Sequence, residues 1–355
     1  EYNQRMEQAP FAAACETQFV RLASAETADE VVRKAFYLAK LNSKPVMLSA
    51  PMDIQQQEFE DDDPYVTSAT LMPSLQMRPD PDVLERAADR LCEVSGMDNV
   101  FFCNSGCEAT EAAIKLARLY GHNRGISEPH IIVMEKAFHG RTIATLSATG
   151  SSKVQAGFEP LVPGFVRVPF DDLAAVRKVA ENNHNVVAVL VELIQGEGGI
   201  NVARAQYLQG LRQLCDRMGW LLMLDEVQCG IGRTGKWFAY QHTNVQPDLI
   251  VFAKGVTSGY LPLGGVVVTK KIVETFNDRV FPGGLTYSGH PLACATANAT
   301  IDVMKEEKMV ENALHIGEKV LGPGLVELAK KHQVMGDIRG VGVFWGVDMV
   351  VDRAT

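Results

Sequence analysis

The sequence predicts an α/β protein whose core is a mostly parallel sheet with helices on both faces. Apolar runs of strand length recur at Val186–Glu192, Trp220–Asp225 and Leu249–Phe252. Amphipathic helical stretches such as Gln206–Met218 separate them. The chemically distinctive residues stand at the ends of those runs, where ligands sit in sheets of this kind.

In chain order, three stretches differ in character. Residues 1–92 hold a helical pattern at Ala28–Lys40 with Thr27 placed to cap it, then a strand-like Pro45–Ser49. The acidic run Gln55–Pro64 reads as a solvated linker, and Pro79-Asp80-Pro81-Asp82 as the start of helix Val83–Cys92. Residues 93–292 alternate strand and helix: strand Val100–Cys103, helix Glu108–Tyr120, strand His130–Glu135, and then the three apolar strands. Residues 293–355 hold the rest of the helix Leu292–Glu307, a helical pattern at Val310–His332 interrupted near Gly322-Pro323-Gly324, and a strand-like Ile338–Met349. No internal repeat is present.

Composition narrows the function classes. A net charge of −9 argues against nucleic acid or an anionic membrane as the main partner. The longest apolar run, Val186–Ile194, is broken by Glu192 and too short to span a bilayer. The N-terminus does not resemble a signal peptide, and it lacks Met, as a fragment or trimmed chain would. Seven cysteines, an odd number with no C-x-x-C pair, fit free thiols in a cytoplasmic protein better than a disulfide scaffold or metal module.

Five segments carry the chemistry. A buried strand delivers Asp225 to its end. That carboxylate either caps the next turn or keeps a ring nitrogen protonated. A second strand ends in Lys254-Gly255. A lysine there is either solvated or, desolvated in a pocket, a nucleophile toward aldehydes. Cys103-Asn104-Ser105-Gly106-Cys107 leads a strand into a helix, as a plain N-cap or as a phosphate cradle. Phe138-His139-Gly140-Arg141 offers an aromatic face and a guanidinium, where core packing and solvation are the alternatives. Glu192 through Gly199 is a glycine-rich acidic turn, too negative for a good phosphate loop.

In this order and spacing the segments resemble class III, fold-type I aminotransferases, which use pyridoxal 5′-phosphate. Residues 93–245 are most similar to the acetylornithine and ornithine branch. Residues 247–355, with Phe281 through Pro291, are closer to the omega-amino-acid branch. The resemblance implies that Lys254 holds the cofactor covalently and then acts as general base and acid. Asp225 would pair with the ring nitrogen, Val227 and Phe138 would cover the ring faces, and Gln228 would meet the ring hydroxyl. Ser105, Gly106 and Cys107 would hold the phosphate, joined by Thr286 from a neighbouring subunit in a homodimer. Glu192 would orient the cofactor-side network. Arg141 would bind the donor's α-carboxylate, and Glu197 would gate an arginine of the family's C-terminal domain. That domain normally continues beyond residue 355, so the small domain is expected to be incomplete. Cys107, Leu193 and His290 depart mildly from the family pattern.

Residues 1–92 do not resemble that family. Phe19–Ser24 through Pro51–Gln55 is similar to the end of the pyrimidine-binding domain of thiamine-diphosphate enzymes of the acetolactate synthase type, and Asp80–Cys92 to the start of their central domain. Their metal and diphosphate motif is missing, since Gly336-Asp337-Ile338 lacks the second glycine. The expectation is a chimera joined near residue 92, with a second seam near 245. Its activity would be transamination from an amino donor to a 2-oxo acid acceptor. The alternatives are an impaired cofactor-binding remnant and a thiamine-dependent fragment.

Overall fold

The computed structural model describes residues 7–58, 82–276 and 280–353. The acidic linker beyond Glu58 and Pro79–Pro81 lie outside them. The chain divides into two compact units, residues 1–78 and 79–355.

In the first unit, strands β1 (Gln18–Arg21) and β2 (Val46–Ser49) pair in parallel. Helix Ala28–Asn42 connects them, which makes a βαβ unit. Thr27 stands at the N-cap position without a side-chain cap bond. Its hydroxyl instead donates to the Ser24 carbonyl at 3.2 Å, because a 3₁₀ turn, Ala25–Thr27, leads into the helix.

The second unit is built on seven strands: β3 (Asn99–Cys103), β4 (His130–Met134), β5 (Phe165–Val168), β6 (Val186–Val191), β9 (Leu221–Asp225), β10 (Leu249–Phe252) and β11 (Gly264–Val268). Two short strands, β7 (Ile194–Gln195) and β8 (Asn201–Val202), form a separate hairpin. The sheet order is β3-β11-β10-β9-β6-β4-β5. β11 pairs antiparallel with both of its neighbours, and all other pairings are parallel.

Alternate residues of the central strands feed two separate apolar clusters, one per face. Val189, Leu222 and Ile250 belong to one, and Ala188, Leu221 and Leu249 to the other. Every residue of β6, β9 and β10 is buried, which is why these strands read as continuous apolar runs. Helices Val83–Ser95 and Ala205–Met218 cover the first face, and Gly106–Asn123 covers the second.

Helix Val83–Ser95 runs unbroken through residue 92, the boundary expected from sequence. Its packing belongs to the second unit. Asn298 donates to the Val83 carbonyl at 3.0 Å, and Arg90 pairs with Asp302 at 2.9 Å. The division between units falls at residues 78 and 79.

At the C-terminal end, helices Met309–Ile316 and Gly322–Lys331 are joined by a π-helical stretch, Gly317–Leu321. Ile338–Met349, expected as one strand, is part of a hairpin of β12 (Met335–Val341) and β13 (Phe344–Met349). Gly342 turns it with φ +60°, a conformation that favours glycine.

Candidate active site

A cavity of about 680 Å³ opens at the carboxyl edge of the sheet. Its lining comes from the residues just past β3 (Asn104–Cys107), β4 (Phe138–Arg141), β6 (Glu192), β9 (Asp225, Val227, Gln228) and β10 (Ala253, Lys254). Because β11 runs the other way, the segment before it, Gly259–Leu263, closes the same edge.

Asp225 is buried at the end of β9. One carboxylate oxygen accepts the Val227 N–H at 3.1 Å, and the other lies 2.8 Å from His139 Nδ1. His139 is 3% exposed, and its Nε2 is buried without a hydrogen-bond partner among the described residues. Burial opposes the charged imidazole, yet the hydrogen bond and charge of Asp225, with Glu192 behind them, raise its pKa. His139 and the Val227 N–H thus occupy both carboxylate oxygens of Asp225.

Glu192 is buried one residue past β6. It accepts the Phe138 N–H at 2.9 Å and the Gly196 N–H at 3.1 Å. Burial pushes its pKa up to about 7, against the opposing pull of His139. It thus ties the segment after β4 to the acidic turn after β7. Phe138 carries the Arg141 guanidinium 5.6 Å from its ring centroid, within cation–π range.

Lys254 follows β10 with φ +47°, left-handed for a residue with a side chain, and it is exposed to the cavity. Val251 is the register partner of Asp225, so the lysine lies three residues beyond that pairing on the neighbouring strand. Asp225 and Lys254 therefore line one cavity.

Ser105 is a true N-cap, accepting the Glu108 N–H at 3.2 Å. Gly106 follows where a Cβ would lie 3.0 Å from Val227 Cγ1 and 3.3 Å from Ala253 Cβ. A side chain there would press on both, so glycine favours this close approach of the helix start. Cys107 Sγ accepts the backbone N–H groups of Arg141 and Thr142, each at 3.3 Å. Burial pushes its thiol pKa up, but these bonds and the Thr142 and Thr145 hydroxyls bring it below the usual value.

Two expected residues stand off the cavity lining. Glu197 lies in the turn after β7 and is reached by Gln228 Nε2 at 3.4 Å. Thr286 is exposed and meets the site through its backbone, its carbonyl accepting from Asn104 Nδ2 at 2.8 Å. Sequence reasoning gave no role to His139, although it lies inside a segment singled out for Phe138 and Arg141. The wall Gly259–Leu263 carried no signal at all.

A sequence profile described as "Aminotransferase class-III" matches residues 69–355. Acetylornithine aminotransferase of Nitrosomonas europaea is 56% identical over 272 residues, 75% of this chain and 67% of that protein. The solved taurine:2-oxoglutarate aminotransferase from Bifidobacterium kashiwanohense, in complex with PLP and glutamate, superposes with a TM-score of 0.72 at 35% identity, over 79% of this chain and 66% of that one. An (S)-enantioselective omega-transaminase from Thermomicrobium roseum superposes with a TM-score of 0.72 at 36% identity, over 80% and 68%. The chain spans about two thirds of the length of these relatives. It belongs to the class-III aminotransferases, fold-type I enzymes that use pyridoxal phosphate.

Proposed function

We propose that the chain transfers an amino group from an amino acid with a distal amine, of acetylornithine, ornithine or omega-amino-acid type, to a 2-oxo acid. The observation that carries this reading is the convergence of Lys254 and Asp225 on one cavity. The lining also fits pyridoxal phosphate. The start of helix Gly106–Asn123 opens on the cavity, where backbone N–H groups suit a phosphate, and Asp225 offers a buried carboxyl group to a ring cation. When bound, the cofactor supplies an electron-withdrawing ring beside the carbon that carries the amino group.

The chain's own residues do the rest. Asp225, backed by His139, would pair with the ring nitrogen. Lys254 Nζ would hold the cofactor and act as general base and acid. Phe138 and Val227 would cover the ring faces, and Gln228 would meet the ring hydroxyl. Ser105, Gly106 and Cys107 would hold the phosphate. Glu192 would orient the cofactor-side network through the backbone N–H groups of Phe138 and Gly196. Arg141 would bind the donor's α-carboxylate, and Glu197 would gate an arginine of the family's C-terminal domain.

A homodimer in which Thr286 reaches the neighbouring site belongs to the same proposal. The exposure of Tyr260 (83%), Tyr287 (73%) and Leu292 (60%) supports it, since apolar surface of this kind suits a partner. We likewise propose that residues 19–55 derive from a thiamine-diphosphate-enzyme fold without its cofactor site, a reading supported by the parallel βαβ unit. Thiamine-diphosphate binding in a calorimetric titration would overturn the second part of that proposal.

Single turnover tests the main reading. The protein supplied with pyridoxal phosphate is mixed with acetylornithine, ornithine or an omega-amino acid, and its visible absorbance band is followed. One donor class should bleach the band and a 2-oxo acid should restore it. A band that no donor bleaches indicates a cofactor-binding remnant. Absence of any band ends the reading.

A further inference from the structure

The turn between β7 and β8 has unusual backbone geometry and touches the cavity wall. Gly199 has φ +113° and Ile200 φ +58°. A β-branched residue rarely adopts the left-handed region and keeps it only where its surroundings hold it. The base of the turn is tied internally, with Asn201 Nδ2 donating to the Gly198 carbonyl at 3.0 Å and to Gln195 Oε1 at 3.1 Å.

The strained tip is held from the C-terminal hairpin instead. Arg339, in β12, donates from Nε to the Gly199 carbonyl at 2.8 Å and from a second guanidinium nitrogen to the same oxygen. Ile200 packs over Gly346 of β13, where a Cβ would lie 3.0 Å from Ile200 Cβ. Arg339 is itself aimed by a two-pronged pair with Asp348, both contacts at 2.9 Å, and by Asp337 at 2.8 Å. A planar fork makes such a set of bonds, and a lysine cannot.

The opposite side of this turn meets the site. Gly196 N–H donates to Glu192 at 3.1 Å, and Gln228, which lines the cavity, reaches Glu197 at 3.4 Å. We propose that Arg339 is a positioning residue for the amino donor. Its grip on the Gly199 carbonyl holds the strained turn and so sets Glu197 against Gln228. The kinetic consequence rests on the proposed transamination, whereas the structural consequence does not.

Two readouts on the full chain with pyridoxal phosphate test this in Arg339→Lys and Arg339→Ala. Hydrogen exchange at the amides of Gly199 to Val202 should rise by about tenfold or more, while β6 and β9 stay protected. Donor KM should rise by about tenfold with kcat changed less than about twofold, and Arg339→Lys should add nothing to Glu197→Gln in the double variant. Asp348→Asn, which loosens the fork and keeps the arginine, should shift exchange in the same direction by less. Unchanged exchange in the turn of both Arg339 variants overturns the inference. So do kinetic losses that add fully in the double variant, since these mark a merely structural role. If the wild-type protein transaminates no donor, the functional reading fails and the exchange readout alone decides the inference. Should Arg339→Ala fail to fold, Arg339→Lys and Asp348→Asn carry the test.

Discussion

Asp225 works through its neighbours. Its carboxylate would be costly to bury alone, and His139 and the Val227 N–H compensate it. Replacing His139 with Leu should therefore destabilise the fold by about 3 kcal/mol, read by urea unfolding near neutral pH. A loss well under about 1 kcal/mol would contradict a compensating His139–Asp225 bond. Two buried carboxyls give the protein a pH signature. Burial raises both Glu192 and Glu226 from 4.5 to about 7, although Glu226 accepts the Tyr240 N–H at 2.9 Å. Both bind a proton more tightly folded than unfolded. Their contribution is full below about pH 4.5 and is lost as pH rises toward about 7, up to about 3 kcal/mol for each group. His139, also raised, acts in the same sense, losing its contribution as pH climbs through its folded value. Glu226→Gln should flatten the fall in unfolding free energy between pH 5 and 7, measured by urea titration at each pH. A wild type and variant with parallel pH dependence would refute this. The placement of Asp225 and Lys254 at the cavity was legible because each ends an apolar run. The contact of His139 with Asp225 was not, because periodicity does not distinguish a buried histidine from a solvated one.

At the scale of elements, the site depends on how helix Gly106–Asn123 begins. Ser105 caps it, and Gly106 lets it approach Val227. Ser105→Ala should cost about 1 kcal/mol, the usual value of an N-cap. Gly106→Ala should cost about 1–3 kcal/mol by overpacking, and should also weaken pyridoxal-phosphate binding in a spectral titration. Unchanged cofactor affinity in Gly106→Ala would separate this helix start from the phosphate. The strands β6, β9 and β10 could be read from sequence because both of their faces are covered. β5 and β11 could not. β5 is four residues long and carries Arg167, whose guanidinium turns to the carbonyls of Ser147 and Thr149. β11 opens with two glycines, which have no side chain to show a pattern. The hairpin β12–β13 read as one strand because its turn is only two residues, Gly342 and Val343.

For the whole molecule, every residue that lines the cavity lies in the second compact unit. Residues 79–355 expressed alone should therefore bind pyridoxal phosphate with an affinity within about threefold of the full chain, since binding follows the groups that touch the ligand. A loss of more than about tenfold, about 1.4 kcal/mol, would assign the first unit a part in the site. The sequence places residues 83–92 with the first stretch, whereas the two compact units divide between residues 78 and 79. Helix Val83–Ser95 packs against helix Pro291–Glu306, and such packing is not visible in a local pattern.

Borohydride trapping tests the central claim most directly. The full chain is loaded with pyridoxal phosphate, reduced and digested, and the peptide carrying the cofactor is identified by mass spectrometry. The label should fall on Lys254, with none in Lys254→Ala and a weaker yield in Asp225→Ala. Label spread over several surface lysines, or undiminished in Lys254→Ala, would contradict the account.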